Sequence, residues 1–513
     1  MLLQEIVRTS ATVAGTRSRN AKVAALAATL RQASADEVEI AASYLSGTLR
    51  QRRIGIGWRT VADRPPPATV STLTMTTVDD AFERLSTLSG AGAQGTRAAL
   101  LADLMGRATA EEQHFLTALI TGETRQGALD GVMLQAVAAA FGLPEALVRR
   151  AAMFAGTTAE VARAALVGGS AAVAGIDMSV GRPLRPMLAG SAPDVATALA
   201  AADPTGAAVA VEAKLDGIRI QVHKGDSTVR VFTRSLDEIT GRMPEIERLV
   251  ARLPVPALVL DGEAIALGAD GRPRPFQETA ARSASRATAP AVALSPFFFD
   301  MLHLDGVDLV DVPLGERAAR LVTVVPRECL VERTVTGDRA EAEAFLAQVL
   351  AAGHEGVVVK GLWAAYEAGR RGTSWVKVKP VHTLDLVVLA VEWGSGRRRG
   401  LLSNIHLGAR DSRSGGWVML GKTFKGMTDE MLAWQTRRFL ELQTRREGHV
   451  VHLRPEQVVE IAFDGIQRSS RYPGGMALRF ARVLRYRDDK SAAEADTVDA
   501  VRAIAERGYG GGG

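Results

Sequence analysis

The apolar positions change their spacing twice along the chain, and those changes divide it before any motif is considered. Over roughly the first 180 residues alanine and leucine recur at helical spacing, as in NAKVAALAATLRQAS and ALDGVMLQAVAAAFG, which predicts an all-helical region. Short glycine-containing basic turns interrupt it at RIGIGWRTVADRPPP and TGETRQGAL. These read equally as plain helix connections or as places that present amides and charge to phosphates. From Gly181, GRPLRPMLAG breaks the period with two prolines and predicts a linker or domain edge.

Beyond that edge the period shortens to two. AVAVEAKLDGIRIQVHKG, STVRVFTRS, ALVLDGEAIAL, AVALSPFFFDMLHLDG, EGVVVKG and SWVKVKP read as strands, with the helical pieces MPEIERLVARL and AEAFLAQVLAAG among them. An α+β unit is expected to end near His382. Further on, DLVVLAVEWG, SNIHLGARD, GGWVMLGKTF and VVEIAFDGIQ alternate over short spans with glycine turns, around one helix, TDEMLAWQTRRFLELQTR. This predicts a small β-barrel of the oligonucleotide-binding type. The expected division is a helical domain at 1–180, an α+β domain at 181–383, a barrel at 384–502 and a disordered glycine-rich tail at 503–513.

Length and composition change this picture little. The 513 residues suit about three domains at roughly 150 residues each. No run approaches the roughly 18 apolar residues of a membrane span, and MLLQEIVRTS lacks the basic leader and apolar stretch of a secretion signal. A soluble cytoplasmic protein, away from membranes, is therefore expected. The single cysteine, Cys329, excludes an intramolecular disulfide framework and a multi-cysteine zinc site, and reads as a core filler. Net charge is only +5. Its distribution says more: arginines cluster at Arg50, Arg52 and Arg53, at Arg370 and Arg371, at Arg397 to Arg399, and from Arg468 to Arg487. A set spread over every part of the chain is better explained by a shared polyanion than by separate solvated faces.

Candidate chemistry centres on VEAKLDGIRI, where a strand pattern gives way to a turn at Lys214, with Glu212 and Asp216 on either side. A lysine between two acids reads either as a neutralised ion pair or as a nucleophile. A nucleophilic lysine must lose its proton, which desolvation or neighbouring cations promote. Such cations are in the same domain: Lys360 ends one strand, and Lys377 and Lys379 lie two apart on the face of another. Acids fall where strand ends are expected, at Asp261, Glu263 and Glu355; of these, Glu263 and Glu355 are hard oxygen donors suited to a divalent cation that also holds phosphates.

The ordered series KLDGIR, LDGEA, FFFDML, EGVVVK, WVKVK and RFARVLRYRDDK, spanning roughly Glu212 to Lys490, resembles the six-motif signature of covalent nucleotidyltransferases. In its details it resembles the ATP-dependent DNA ligases, and the helical region resembles the DNA-binding domain that larger cellular ligases carry in front. The resemblance implies ATP as cofactor, Mg²⁺ or alternatively Mn²⁺ as metal, and nicked duplex DNA as partner, with a monomer expected. Lys214 would attack the α-phosphate and form a lysine-AMP intermediate. Glu212 would accept from the adenine amino group while Phe299 stacks on the ring. Arg219 and Arg234 would hold the ribose and the nick phosphate. Glu263 and Glu355 would bind the metal, and Arg371, Lys377 and Lys379 would neutralise phosphate charge. Arg485, Asp489 and Lys490 would grip the departing pyrophosphate. One departure stands out: Ala481 follows Phe480 where this family usually has proline.

GWVMLGKT, Gly416 to Thr423, matches the phosphate-loop pattern letter for letter, yet Trp417 to Leu420 is an apolar run suited to a strand rather than to an amide-presenting turn before a helix. The rival readings are a GTP-dependent RNA-capping guanylyltransferase, which would not need the large helical domain, and a catalytically inactive nick-binding scaffold, which would not need Lys214, Glu263, Glu355, Lys377 and Lys379 together.

Overall fold

The computed structural model describes the chain except for residues 52–53, 58–59, 62–63, 91, 125–129, 226, 285–291, 369–370, 396–397 and 510–513, and the side chains of 371 and 506–509. Arg52, Arg53, Arg370, Arg397 and parts of the two N-terminal turns therefore lie outside the described residues. None of the described helices is long and apolar enough to cross a membrane.

The first part is helical. Its helices run from Leu3–Gly15 to Thr158–Ala174 and pack around one apolar cluster that includes Leu3, Leu26, Tyr44, Phe82 and Leu116. Their starts follow local chemistry: Thr109 and Glu112 form a reciprocal capping box at the head of Ala110–Thr121, and Ser18, Thr74 and Thr157 each cap the helix that follows.

Two five-stranded sheets follow. One has the order β1-β10-β9-β2-β8, from β1 (Leu188–Ser191), β10 (Arg371–Val378), β9 (Gly356–Gly361), β2 (Val209–Lys214) and β8 (Arg333–Thr336). The other has the order β4-β3-β5-β6-β7, from β4 (Thr228–Thr233), β3 (Ile218–Gly225), β5 (Leu258–Ala266), β6 (Leu294–Leu304) and β7 (Val307–Asp308). The end of the expected linker is therefore not a loop: Leu188–Ser191 pairs in parallel with β10, because Pro183 and Pro186 precede the paired residues. Asp261 and Glu263 lie within β5, not at its end.

The last part is β-rich, as expected. A coiled seven-stranded sheet contains β11 (His382–Trp393), β12 (Leu402–Arg410), β13 (Trp417–Thr423), β14 (Gln443–Glu447), β15 (Val450–Leu453), β16 (Val458–Phe463) and β19 (Arg482–Tyr486). The hairpin of β17 (Gly465–Arg468) and β18 (Met476–Arg479) stands beside it. The phosphate-loop look-alike is indeed β13. The predicted helix stops at Glu441, and Gln443 to Arg445 belong to β14. The expected tail requires a larger correction. A helix runs Val498–Tyr509, with Val498 and Val501 buried against the barrel core and Ile504 partly so; this apolar spacing holds 503–509 in a helix where the glycine-rich ending suggested disorder.

Candidate active site

Lys214 is the last residue of β2, so its side chain shares a face with Glu212 while the chain turns through Asp216 and Gly217 into the opposite sheet. The two sheets part here and enclose a cavity of about 730 Å³. Lys214, Glu212, Arg219, Arg234, Glu263, Phe299 and Lys377 all line it. The turn is tight: a Cβ on Gly217 would sit 2.5 Å from the Ala264 carbonyl oxygen and 2.9 Å from Glu263 Cγ. Only glycine fits without displacing β5.

The register of β2 places the first acid. Lys214 lies opposite Gly356, and the Glu355 amide donates to the Lys214 carbonyl at 3.0 Å. Glu355 consequently forms an ion pair with the Lys214 ammonium and accepts from Lys379 Nζ at 2.9 Å. Burial pushes the Glu355 carboxyl up, but the two lysines outweigh it and hold it below the usual carboxylate range. Lys379 pairs in addition with Asp464 of the C-terminal part. Burial alone would lower Lys379, but Asp464 and Glu355 together raise it. Lys379 follows β10, and Gly356 makes room for it: a Cβ there would come within 2.9 Å of Lys379 Cα.

Glu263 behaves differently. It lies across from Arg219 in the β3–β5 register, and burial pushes its carboxyl up to about 7 although Arg219 and Lys214 pull the other way. Arg219 is committed elsewhere. Its Nε and Nη2 donate to the two oxygens of buried Asp261 at 3.0 and 2.6 Å, and Nη1 donates to the Met187 carbonyl at 2.6 Å. Tyr366 also donates to Asp261, at 2.7 Å. The guanidinium thereby becomes a fixed wall, 5.5 Å from the Phe299 ring centre and 5.8 Å from that of Trp375.

Glu212 lines the same cavity. It is 2 % exposed, accepts from Arg333 Nε at 2.9 Å and lies 2.5 Å from Lys360 Nζ. Phe299 and Trp375 meet edge to face there, with ring centres 6.0 Å apart.

Three residues of the final motif are not in the cavity. Arg485 donates to Glu460 at 2.7 Å, Asp489 accepts from Arg487 and Lys490 donates to Asp385 at 2.6 Å, all within the C-terminal part. Arg479 of the same motif instead reaches Asp216 at 2.6 Å. Arg371 begins β10, and its side chain lies outside the described residues. Sequence reasoning missed Arg333, Tyr366, Trp375 and Asp464 altogether. The first two carry no motif of their own; the available signals were the WVKVK tryptophan and the acid of AFDGIQ.

Glu263 lines this cavity, whereas Glu355 pairs with Lys214 and borders a second cavity together with Asp216, Asp464 and Arg479, and among the described residues no three His, Cys, Asp or Glu side chains converge as a metal cage. That donor set fits Mg²⁺, which uses one or two carboxylates and completes its shell with substrate phosphates and water.

The model of the ATP dependent DNA ligase domain matches residues 186–379, that of the ATP dependent DNA ligase C terminal region matches 398–490 and that of the DNA ligase N terminus matches 62–138. A probable DNA ligase of Nocardioides sp. is 62% identical over 509 residues, covering 98% of this chain and 99% of that one. A probable DNA ligase of Beutenbergia cavernae is 62% identical over 512 residues, covering 98% of this chain and 100% of that one. The solved structure named Pmar-Lig_Pre superposes with a TM-score of 0.66 over 95% of this chain and 99% of its own, at 18% identity, a likeness of fold.

Proposed function

Since this chain belongs to the family of ATP-dependent DNA ligases, we propose how its residues divide the work of sealing a nick. The enzyme uses ATP and acts on nicked DNA. It joins a 5′-phosphate to a 3′-hydroxyl in three transfers: AMP to a lysine with loss of pyrophosphate, AMP from lysine to the 5′-phosphate, and attack of the 3′-hydroxyl with release of AMP.

Lys214 is the nucleophile of the first transfer. The observation that carries this is its place at the end of β2, lining the same cavity as Glu212, Phe299 and Lys377. An adenine ring set against Phe299 with its amino group toward Glu212 would leave its phosphates at Lys214. The lysine must react as the free amine, and Glu355 occupies its ammonium in the resting arrangement. Bound Mg²⁺ would supply charge neutralisation for the phosphates and would draw on Glu263 and Glu355. Lys377 and Lys379 stabilise the negative charge that phosphoryl transfer gathers. Arg219 and Arg234 frame the ribose and the nick phosphate. Arg371 is assigned, with Lys377 and Lys379, to neutralising phosphate charge.

Arg485, Asp489 and Lys490 serve the first transfer only, because no pyrophosphate remains after it. Their present pairing away from the cavity and the contact of Arg479 with Asp216 are consistent with a second orientation of the barrel. The domain borders are taken at about 180 and 383, and the protein is taken to work as a monomer.

The experiment is incubation with labelled ATP and magnesium, followed by peptide mapping, then a sealing assay on nicked duplex DNA. Label on the peptide containing Lys214 supports the reading. Label on another lysine would overturn it.

A further inference from the structure

We propose that Arg185 is a positioning residue for the steps on DNA: it sets the register between a duplex held by the helical region and Arg219, held by the two sheets. The inference rests on the readings above, that Arg219 meets the nick phosphate and that the helical region, similar to the DNA-binding domain of larger ligases, holds the duplex.

The segment Gly181 to Met187 joins the two regions and is gripped from both sides. Arg219, Gln221 and His223 alternate along β3 and so share one face, and each holds one residue of the segment. His223 Nδ1 accepts from the Gly181 amide at 3.0 Å, Gln221 accepts from the Leu184 amide at 2.8 Å and donates to its carbonyl at 3.2 Å, and Arg219 donates to the Met187 carbonyl at 2.6 Å. The Met187 amide donates to the Tyr366 hydroxyl at 3.0 Å, and Tyr366 belongs with Asp261 to the network that fixes Arg219. Contacts at 181, 184 and 187 recur every three residues, the repeat of a polyproline-type chain, which Pro183 and Pro186 suit. The segment cannot slide along β3 without breaking these bonds.

Positions between them face the helical region. Arg182 donates to the Ala155 carbonyl at 2.8 Å and pairs with Glu160. Arg185 does more: its amide donates to the Met153 carbonyl at 2.9 Å, Nε to the Gly156 carbonyl at 3.0 Å, Nη1 to Asp130 at 2.5 Å and Nη2 to Thr158 Oγ1 at 3.1 Å. Thr158 donates in turn to Asp130 at 2.8 Å, so one guanidinium joins the starts of two helices, Asp130–Phe141 and Thr158–Ala174. Only Pro186 separates Arg185 from Met187. Its ring fixes its own φ and keeps Arg185 extended, so a displacement of the helical region at Asp130 reaches Arg219 with little slack.

Self-adenylation involves no DNA, and Arg219 stays bonded to Asp261 within its own sheet whatever the helical region does. That step does not need Arg185. Sealing must bring the nick phosphate to Arg219 while the duplex is held elsewhere, and a misplacement of about 1 Å in such an arrangement costs up to about 100-fold. Asp130 is 47 % exposed, so its pair with Arg185 contributes little to stability. A positional effect is therefore separable from a folding one.

The test mixes adenylated enzyme, in increasing excess, with nicked duplex DNA and reads the saturating rate and the half-saturating concentration. In Arg185→Gln the saturating rate is expected to fall about tenfold, because Arg182 and the Met153 bond still hold the segment, while the half-saturating concentration and the labelling of Lys214 from ATP stay within about twofold. Asp130→Asn should show the same pattern more weakly, and the double variant should be no slower than Arg185→Gln alone, as for two residues of one contact. An unchanged saturating rate would overturn the proposal. So would a loss confined to the half-saturating concentration, which describes a tether, a parallel loss of labelling, which describes a damaged fold, or additive losses in the double variant. Arg219→Ala in the same assay tests the underlying reading separately: a normal saturating rate there would remove Arg219 from the nick phosphate, whatever Arg185 does.

Discussion

Arg479 reaches from the barrel to Asp216, two residues past Lys214, with its Nη1 and Nη2 2.6 and 3.3 Å from the two carboxylate oxygens. This contact ties the barrel to the turn that carries the nucleophile while Arg485, Asp489 and Lys490 pair elsewhere. The two sets should therefore serve different steps. Arg479→Ala is expected to slow closure of a nick that already carries AMP by about three- to tenfold, a modest loss because the pair is partly exposed, and to leave self-adenylation near normal. Arg485→Ala with Lys490→Ala should do the reverse, lowering self-adenylation by about 100-fold or more. Labelled ATP and a synthetic pre-adenylated nick measure both on one preparation. Parallel losses in the two assays would remove the division.

Lys214→Arg keeps the positive charge beside Glu355 but cannot supply a free base near neutrality, since arginine stays protonated. Sealing with ATP is expected to vanish while affinity for nicked DNA stays near that of the unaltered enzyme, measured by gel shift. Label transfer from ATP to the variant would refute the nucleophile assignment.

His223 gives a pH dependence that has nothing to do with catalysis. Its Nδ1 accepts from the Gly181 amide at 3.0 Å, its Nε2 contacts Gln221 Oε1 at 2.8 Å, and burial drives its pKa down to about 3. In the unfolded chain the ring takes a proton near 6.5. Below that value the unfolded state binds a proton that the folded state refuses. The stabilisation is complete above about pH 6.5 and is lost toward pH 3, at about 1.4 kcal/mol per unit. Denaturant unfolding of His223→Gln should therefore show its stability gap from the unaltered protein narrowing by about 2 kcal/mol between pH 6.5 and 5. A constant gap would mean that the histidine is charged when buried.

Met153 and Phe154, in the helical region, share an apolar cluster with Leu184, Met187, Tyr366 and Trp375. Phe154 is 2 % exposed. Phe154→Ala is expected to cost about 3 kcal/mol, and because the cluster joins the two regions, calorimetry should show one unfolding transition separating into two. A single transition of unchanged midpoint would show that the regions are not coupled through this contact.

The part of the site that was legible is the part written in short stretches. KLDGIR exposed Lys214 because a charged residue stood where an apolar strand should continue into a turn, and EGVVVK and WVKVK exposed Glu355, Lys377 and Lys379 in the same way. What escaped depends on register between distant segments. Arg333 meets Glu212 only because β8 pairs with β2, and Asp464 meets Lys379 only because the barrel docks where it does. The tail was misread for the opposite reason: its glycines are conspicuous, while Val498, Val501 and Ile504 carry a helical period too brief to stand out.

Gly217 shows what kind of constraint the most recognisable letter of that first stretch imposes. Its φ is not among the left-handed values that favour glycine; its requirement is clearance against Ala264 and Glu263. The missing methyl acts as a spacer of zero thickness at the crossing from one sheet to the other. It lets β3 and β5 close to ladder distance directly below the nucleophile. A side chain there would act as a wedge against Ala264 and Glu263 in the wall of the cavity that Phe299 and Trp375 also line, so a fault in the turn would be felt as a looser fit for whatever the cavity holds.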